Sequence, residues 1–231
     1  MTCMARLARV VMERTSHHVA QRRNCRQTVF FSDDDYGTCK ALLAEGCAAA
    51  DVAIWAYCLM PNHVHLILVP GDTDGLRAAL SDTHRRYSRG ANFREGWRGY
   101  LWQGRFASTP MDDGHLMVAA RYVELNPVRA KLAARAEDWP WSSARAHLTG
   151  RNDEMVDATP LLEREPDWAR FLAEGLDPQV HAAIQSAELT GRPLGDDAFT
   201  ARLEHSLGRT LTRRKPGRKP RPAAERQAAV L

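Results

Sequence analysis

No apolar run in this chain approaches the roughly 20 residues needed to cross a bilayer. The opening stretch, MTCMARLARVVMERTSHH, scatters charges where a secretory signal needs an apolar core, so no signal peptide is expected. Cysteine is scarce: the five (Cys3, Cys25, Cys39, Cys47 and Cys58) are odd in number, sit in the N-terminal quarter and form no C-x-x-C pair. That excludes a disulfide framework and a zinc knuckle, and suits a reducing compartment. No fixed-period repeat is present, which argues against a solenoid or propeller. A soluble protein of the cytoplasm is expected.

Hydrophobic residues make up 44% of the 231, enough for a packed core in one large domain or in a domain of about 150 residues with appendages. The net charge of +4 is unevenly spread. From Gly208 onward eight basic residues face Glu225 alone, a local charge of +7, so the remainder carries about −3. A basic tail on a mildly acidic body points to a polyanionic partner, most simply nucleic acid, and hence to a nucleoid-associated location.

Residues 16–24 read as a short strand running into a polar loop. Ser32 is a plausible N-cap for a helix that begins with acidic residues. Residues 51–59 are β-branched and aromatic and read as a buried strand; after the Pro61-Asn62 turn, 63–69 form a second strand of a hairpin. Asp74 to Phe93 reads as a helix, 100–110 as a strand, and 111–125 as a helix capped by Asp112 or Asp113. This order predicts an α+β fold, a ferredoxin-like antiparallel sheet with helices on one face. The domain reading is 1–150, a polar linker at 151–160, a helical module at 161–212, and a disordered basic tail at 213–231.

Within YCLMPNHVHLILVP (57–70), His63 and His65 alternate with Val64, so both imidazoles share one face of the strand. Two neutral imidazoles there can converge on a divalent ion, and they can equally be surface residues of a solvated sheet. The other histidines form no second ligand motif, so an ion held by this pair needs a third ligand.

MPNHVHLIL resembles the histidine–hydrophobe–histidine (HUH) motif of the single-tyrosine transposases, and most closely that of the REP-associated tyrosine transposases. HHVAQRRN, HRRY (84–87), WQGRF (102–106), ARYVELNPVRAKL (120–132) and WPWSSARAH (139–147) are similar to that family in the same order. The resemblance covers about 1–150, and TGRPLGDDAF (190–199) is similar to the C-terminal extension of one branch. It implies a ferredoxin-like fold, Mg2+ or Mn2+ bound by His63 and His65, and cleavage of single-stranded DNA by one tyrosine. Arg23 stands where the family usually has glycine in Arg-Gly-Asn, which puts in doubt any positive φ or close DNA approach at that position.

Of the five tyrosines, Tyr57 reads as core and Tyr36 lies on the first helix. Tyr100 suits packing or base stacking, and Tyr87 competes as nucleophile from among arginines. Tyr122 matches the family nucleophile. On a helix Tyr122 and Asn126, at i and i+4, share a face, which offers a phenol and a third metal ligand together. Equally, Tyr122 can be an ordinary half-buried aromatic and Asn126 the cap of a helix starting at Pro127.

Candidate DNA contacts are Arg85, Arg86, Tyr87, Arg94, Trp102 and Arg105, where arginines and aromatics interleave as single-strand binding requires. Arg213, Arg214, Lys215, Arg218 and Lys219 add tail contacts, and KPGRKPRP resembles an AT-hook. The expected partner is single-stranded DNA carrying a hairpin, bound by a monomer or a homodimer. The expected activity is metal-dependent strand transfer. A hairpin-binding regulator without transposition is the alternative, and a small-molecule metallohydrolase leaves the tail unexplained.

Overall fold

The computed structural model describes residues 8–24 and 27–212. The basic tail, with Arg213, Arg214, Lys215, Arg218 and Lys219, lies outside the described residues, as do Cys3 and Cys25. Among the described residues no helix is long and apolar enough to cross a membrane.

Four strands, β1 (His17–Arg22), β2 (Val52–Met60), β3 (His63–Pro70) and β4 (Ala107–Pro110), form one sheet in the order β2-β3-β1-β4. Every pairing is antiparallel. Helix α1 (Asp33–Ala49) joins β1 to β2 and α2 (Gly75–Glu95) joins β3 to β4, which is ferredoxin-like connectivity. Val19, Tyr57, Leu59, Val64, Leu66 and Leu68 point to one face and pack with Leu43, Leu76 and Leu80 of these two helices.

Alternation sends Ala56, Cys58, Met60, His65 and Ile67 to the opposite face. That face is also covered. Leu116, Ala119, Ala120 and Val123 of α3 (Asp113–Glu124) pack there and seal it from water. Asp112 caps α3 by accepting from the His115 amide, as the sequence implies. A one-turn helix, α4 (Asn126–Arg129), follows with Leu125 as its cap, so Asn126 opens that helix instead of capping it.

Residues 100–110 are extended only in part. Regular pairing begins at Ala107; before it, Trp102 makes a single bridge to Arg23. Gly99 and Gly104 take positive φ values of 97° and 62°, which turn the chain out of strand geometry.

The remaining helices are α5 (Ala144–Thr149), α6 (Thr159–Leu162), α7 (Trp168–Ala173), α8 (Pro178–Thr190) and α9 (Asp197–Leu207). Leu161, Trp168, Phe171, Ile184, Ala187 and Leu194 share one core with α3. The segment read as a polar linker is itself packed: Met155 and Val156 are buried, and Asp153 accepts from the Tyr57 hydroxyl. Glu124, fully buried at the end of α3, accepts from Ser143 Oγ at 2.6 Å and Trp168 Nε1 at 2.7 Å, and meets His147 Nδ1 at 2.6 Å. A buried carboxylate needs several partners, and this one draws them from α5, α7 and the loop between α4 and α5.

Candidate active site

The strand register decides which side chains meet. On β3, His63 and His65 face the α3 side, opposite Arg22 and Ala20 of β1. Their ring centroids are 4.8 Å apart with perpendicular planes. His18 belongs to the same β1 face as Ala20, and its ring stacks on His65 at 5.2 Å. His18 Nε2 and His65 Nδ1 are 3.0 Å apart.

Tyr122 comes from α3. It is 3% exposed, and its ring stands edge-on to both His65 (5.3 Å) and His18 (5.7 Å). Glu188 comes from α8, and its Oε1 lies 3.3 Å from the Tyr122 hydroxyl, 3.5 Å from His65 Nδ1 and 3.8 Å from His18 Nε2. The open side is a cleft of about 760 Å³ lined by Arg22, His63, Gln103, Arg105, Gln185 and Glu188.

Electrostatics follow from burial. Burial lowers the His18 pKa to about 4, and burial with the nearby Arg22 charge lowers His63 to about 3. His65 is held well below the ordinary imidazole value by burial, then by His63 and His18. All three rings are therefore neutral at neutral pH, the form that offers a lone pair to a metal. Burial raises Glu188 to about 7 against the opposing pull of Arg22 and the Tyr122 hydrogen bond. Burial and Glu188 push the Tyr122 phenol above its ordinary value, while the Arg129 guanidinium and the Asn126 amide pull the other way.

A divalent ion fits this donor set. Octahedral Mg2+ or Mn2+ with bonds near 2.1 Å places adjacent ligand atoms about 3 Å apart. Among the described residues His18, His65 and Glu188 form a group able to hold an ion, and His63 is not part of it. Three buried polar atoms at this place lack a hydrogen-bond partner: His18 Nδ1, His65 Nε2 and Asn126 Nδ2. A buried imidazole nitrogen without a partner, such as His65 Nε2, is free to take an ion.

Two of the expected DNA contacts are in the wrong place. Tyr87 is 4% exposed, donates to the Val29 carbonyl at 2.9 Å and packs on Phe30. Trp102 is 7% exposed, with its ring against His84 and Tyr87. Both rings fill the α1–α2 core, so neither offers a face to a base.

Arg85 pairs with Asp82, Arg86 with Glu45, and Arg94 with Asp35 at 2.7 Å, so α2 presents ion pairs at its surface. Arg85 and Arg105 line a second hollow of about 680 Å³ beside Tyr100, and Arg105 lines the first cleft too. The aromatics that do face solvent are Tyr100 (95% exposed), Phe93, Trp97 and Phe31. Arg23 is outside the positive-φ set, and its guanidinium lies 4.5 Å over Trp97, so arginine replaces glycine there without backbone strain.

His18, Glu188 and Arg22 are the site residues that sequence reasoning missed. His18 enters through cross-strand register. Glu188 arrives from 66 residues beyond Tyr122 and carries no local signal.

A family model, transposase IS200-like, matches residues 11–126. None of the curated proteins matches the sequence. A solved REP-associated tyrosine transposase bound to a REP hairpin is similar in fold, at TM-score 0.52 and 20% identity over 67% of this chain and 93% of that one. A putative transposase from Deinococcus radiodurans aligns at TM-score 0.38 and 20% identity, over 52% of this chain and 96% of that one. The matched residues run from the segment before β1 to the first residue of α4, with His63, His65 and Tyr122 inside them, and the chain belongs to the IS200-like transposase family.

Proposed function

We propose that this chain is a metal-dependent endonuclease and strand transferase of single-stranded DNA, acting beside a hairpin through a 5′-phosphotyrosine on Tyr122. The observation that carries the reading is the meeting of a phenol, neutral imidazoles and a carboxylate beside one cleft, which His63 and Glu188 line. Cleavage of a strand by a phenol needs that combination, since a phenol alone is a weak nucleophile at neutral pH.

His63 and His65 are the proposed holders of Mg2+ or Mn2+. Asn62 Oδ1 meets His63 Nδ1 and so fixes that nitrogen as the donor, which leaves Nε2 its lone pair. When bound, the ion polarises the scissile phosphate and stabilises charge on the leaving oxygen. Tyr122 is aimed by its ring contacts with His18 and His65 and by the hydrogen bond to Glu188. Its oxygen forms the new bond to phosphorus, the bond to the 3′ oxygen breaks, and the phenol proton leaves toward Glu188. The released 3′-OH takes its proton from solvent. Reversal by another 3′-OH rejoins DNA without ATP. Asn126 is the proposed third ligand from the sequence, and its amide borders Tyr122.

Arg22 and Arg105 in the cleft suit phosphate contact, and the exposed Tyr100 suits base stacking. The hairpin bound by the fold relative supports a hairpin substrate here. A labelled hairpin oligonucleotide incubated with and without Mn2+ tests the reading. Cut DNA joined to protein, dependent on metal, is expected; tight binding with no cut under any metal makes the chain a hairpin-binding regulator instead.

A further inference from the structure

We infer that the hollow between α2 and residues 99–105 is a binding site for one unpaired nucleobase, carried by the strand that the active-site cleft cuts. The inference rests on the single-stranded substrate proposed above and adds a place where that strand is held by a base. The hollow measures about 680 Å³, with His84, Arg85 and Ser88 of α2 on one wall and residues 99–105 on the other.

Two ring nitrogens of these walls have nothing to bond. His84 Nε2 and Trp102 Nε1 are buried with no hydrogen-bond partner among the described residues. Their rings are neighbours, with centroids 5.0 Å apart, so one flat ligand can serve both. Burial and Arg9 lower the His84 pKa to about 4, so the imidazole is neutral at neutral pH. The indole N–H is a donor only, and the imidazole nitrogen accepts or donates according to its tautomer. Two uncharged groups offer little to a phosphate. They suit the pairing edge of a base, on which an acceptor and a donor stand side by side. That edge is open only in a base with no partner in an opposite strand.

Tyr100 supplies the stacking surface. It is 95% exposed and lines the hollow, so its phenol ring is open to a base entering beside it. The faces of Trp102 are taken up by His84 and Tyr87, which leaves that ring only its edge to offer. Gln21, Gln103 and Arg105 line this hollow and the active-site cleft alike. A strand whose phosphate lies in the cleft therefore has a nearby nucleotide within reach of the hollow, and Arg105 stands where the backbone between them would pass.

A consequence concerns specificity. A base held by its pairing edge cannot also belong to a duplex stem, so the hollow selects an unpaired nucleotide. It also sets one position of the substrate apart from its neighbours. A site that hydrogen-bonds a base rejects a nucleotide from which the base is missing, because two buried nitrogens are then left bare again.

The test is an abasic walk. The hairpin oligonucleotide of the cleavage assay is made with each unpaired nucleotide in turn replaced by an abasic one, and its affinity for the full chain is read by gel shift without metal. One position is expected to lose about 10-fold or more, as befits one stacked and hydrogen-bonded base, while its neighbours lose less. Ser88→Trp fills the hollow from the α2 side; it should weaken binding of the intact strand and erase the loss at that position. His84→Phe keeps a ring and removes the nitrogen, and should shrink the loss. A walk with no such position, or a loss that both variants leave unchanged, overturns the assignment. Saturable binding of free deoxynucleoside monophosphates that Ser88→Trp abolishes, with a featureless walk, gives the hollow to a free nucleotide and overturns its place on the strand. A position that depends on Ser88 and His84 in a chain that forms no DNA adduct leaves this inference standing and sinks the proposed function. An adduct-forming chain with a featureless walk does the reverse.

Discussion

The hydroxyl of Tyr122 on α3 lies 3.3 Å from Oε1 of Glu188 on α8, and Glu188 in turn lines the cleft. His18 and His65 meet the edge of the phenol ring and the end of the carboxylate, and Arg129 lies over the ring at 5.4 Å.

From this position Tyr122→Phe removes one hydroxyl and little else. The lost hydrogen bond costs about 0.5–1.5 kcal/mol of stability, and hairpin binding is expected to hold. An SDS-resistant protein–DNA band, expected with the parent chain, should vanish. Tyr87→Phe is the matched control: it leaves the Val29 carbonyl without its donor, costs about 1–3 kcal/mol, and keeps the adduct. Adduct formation that survives in Tyr122→Phe and fails in Tyr87→Phe moves the nucleophile.

The histidine pair separates chemistry from binding. His63→Ala, at the cleft wall, is expected to abolish cleavage while the hairpin still binds in a gel shift. His65→Ala should behave likewise, at an added stability cost because the ring it removes is fully buried. Affinity that falls in step with cleavage in a folded His63→Ala protein argues that the pair serves DNA directly.

Much of the fold was legible because its signals are local. Residues 51–69 announced a hairpin through β-branched composition and a Pro-Asn turn, and the acidic start of α1 and the Asp112 cap of α3 followed from end chemistry. What was lost is nonlocal. His18 sits one residue from His17 in sequence, yet only the register His18↔Ile67 and Ala20↔His65 turns it toward the site and His17 away. Arg and Tyr in HRRY look alike as DNA-facing residues until α2 packs on α1 and takes Tyr87 inside. The polar spelling of residues 149–160 hid two buried apolar residues, Met155 and Val156, that anchor the segment to the first core.

Exposure sorts the aromatics. Tyr100→Ala is expected to weaken single-strand binding by about 1–3 kcal/mol, the usual worth of one stacked base, with the melting temperature unchanged. Trp102→Ala is expected to cost about 3–5 kcal/mol of stability because it empties a core position between His84 and Tyr87. Equal DNA affinity in parent and Tyr100→Ala would remove that ring from the binding surface.

The tail experiment needs its cut placed by the structure. Leu211 is buried with Val10, Phe199 and Leu203, and Arg209 donates to the carbonyls of Ala8 and Arg9, so truncation at Gly208 damages the fold. Removing 213–231 takes away seven basic residues and leaves that packing intact. DNA affinity is expected to fall and its salt dependence to flatten, by about 0.7 in log–log slope for each single-strand phosphate the tail had neutralised. A slope that does not move assigns the tail no role in binding DNA.

Buried histidines away from the cleft add to the acid sensitivity that His18, His63 and His65 bring. His17 Nδ1 lies 2.7 Å from the Thr15 carbonyl and its Nε2 accepts from the Met12 amide at 3.2 Å, so a second ring proton would face an N–H. Burial, partly offset by the Thr15 hydrogen bond, lowers its pKa to about 4; His84, buried against Trp102, is lowered to about 4 by burial and by Arg9. Both folded values lie below the unfolded value of 6.5, so the unfolded chain takes up these protons first as pH falls. Their contribution is fully present above pH 6.5 and is lost on the way down to about 4, at about 1.4 kcal/mol per pH unit for each ring. Urea midpoints measured from pH 7.5 to 5 should fall accordingly, and His84→Leu should lower the slope by one ring's share. A midpoint that is flat over that range, or a His84→Leu slope equal to the parent's, rules out the neutral buried state of these rings as the source of acid sensitivity.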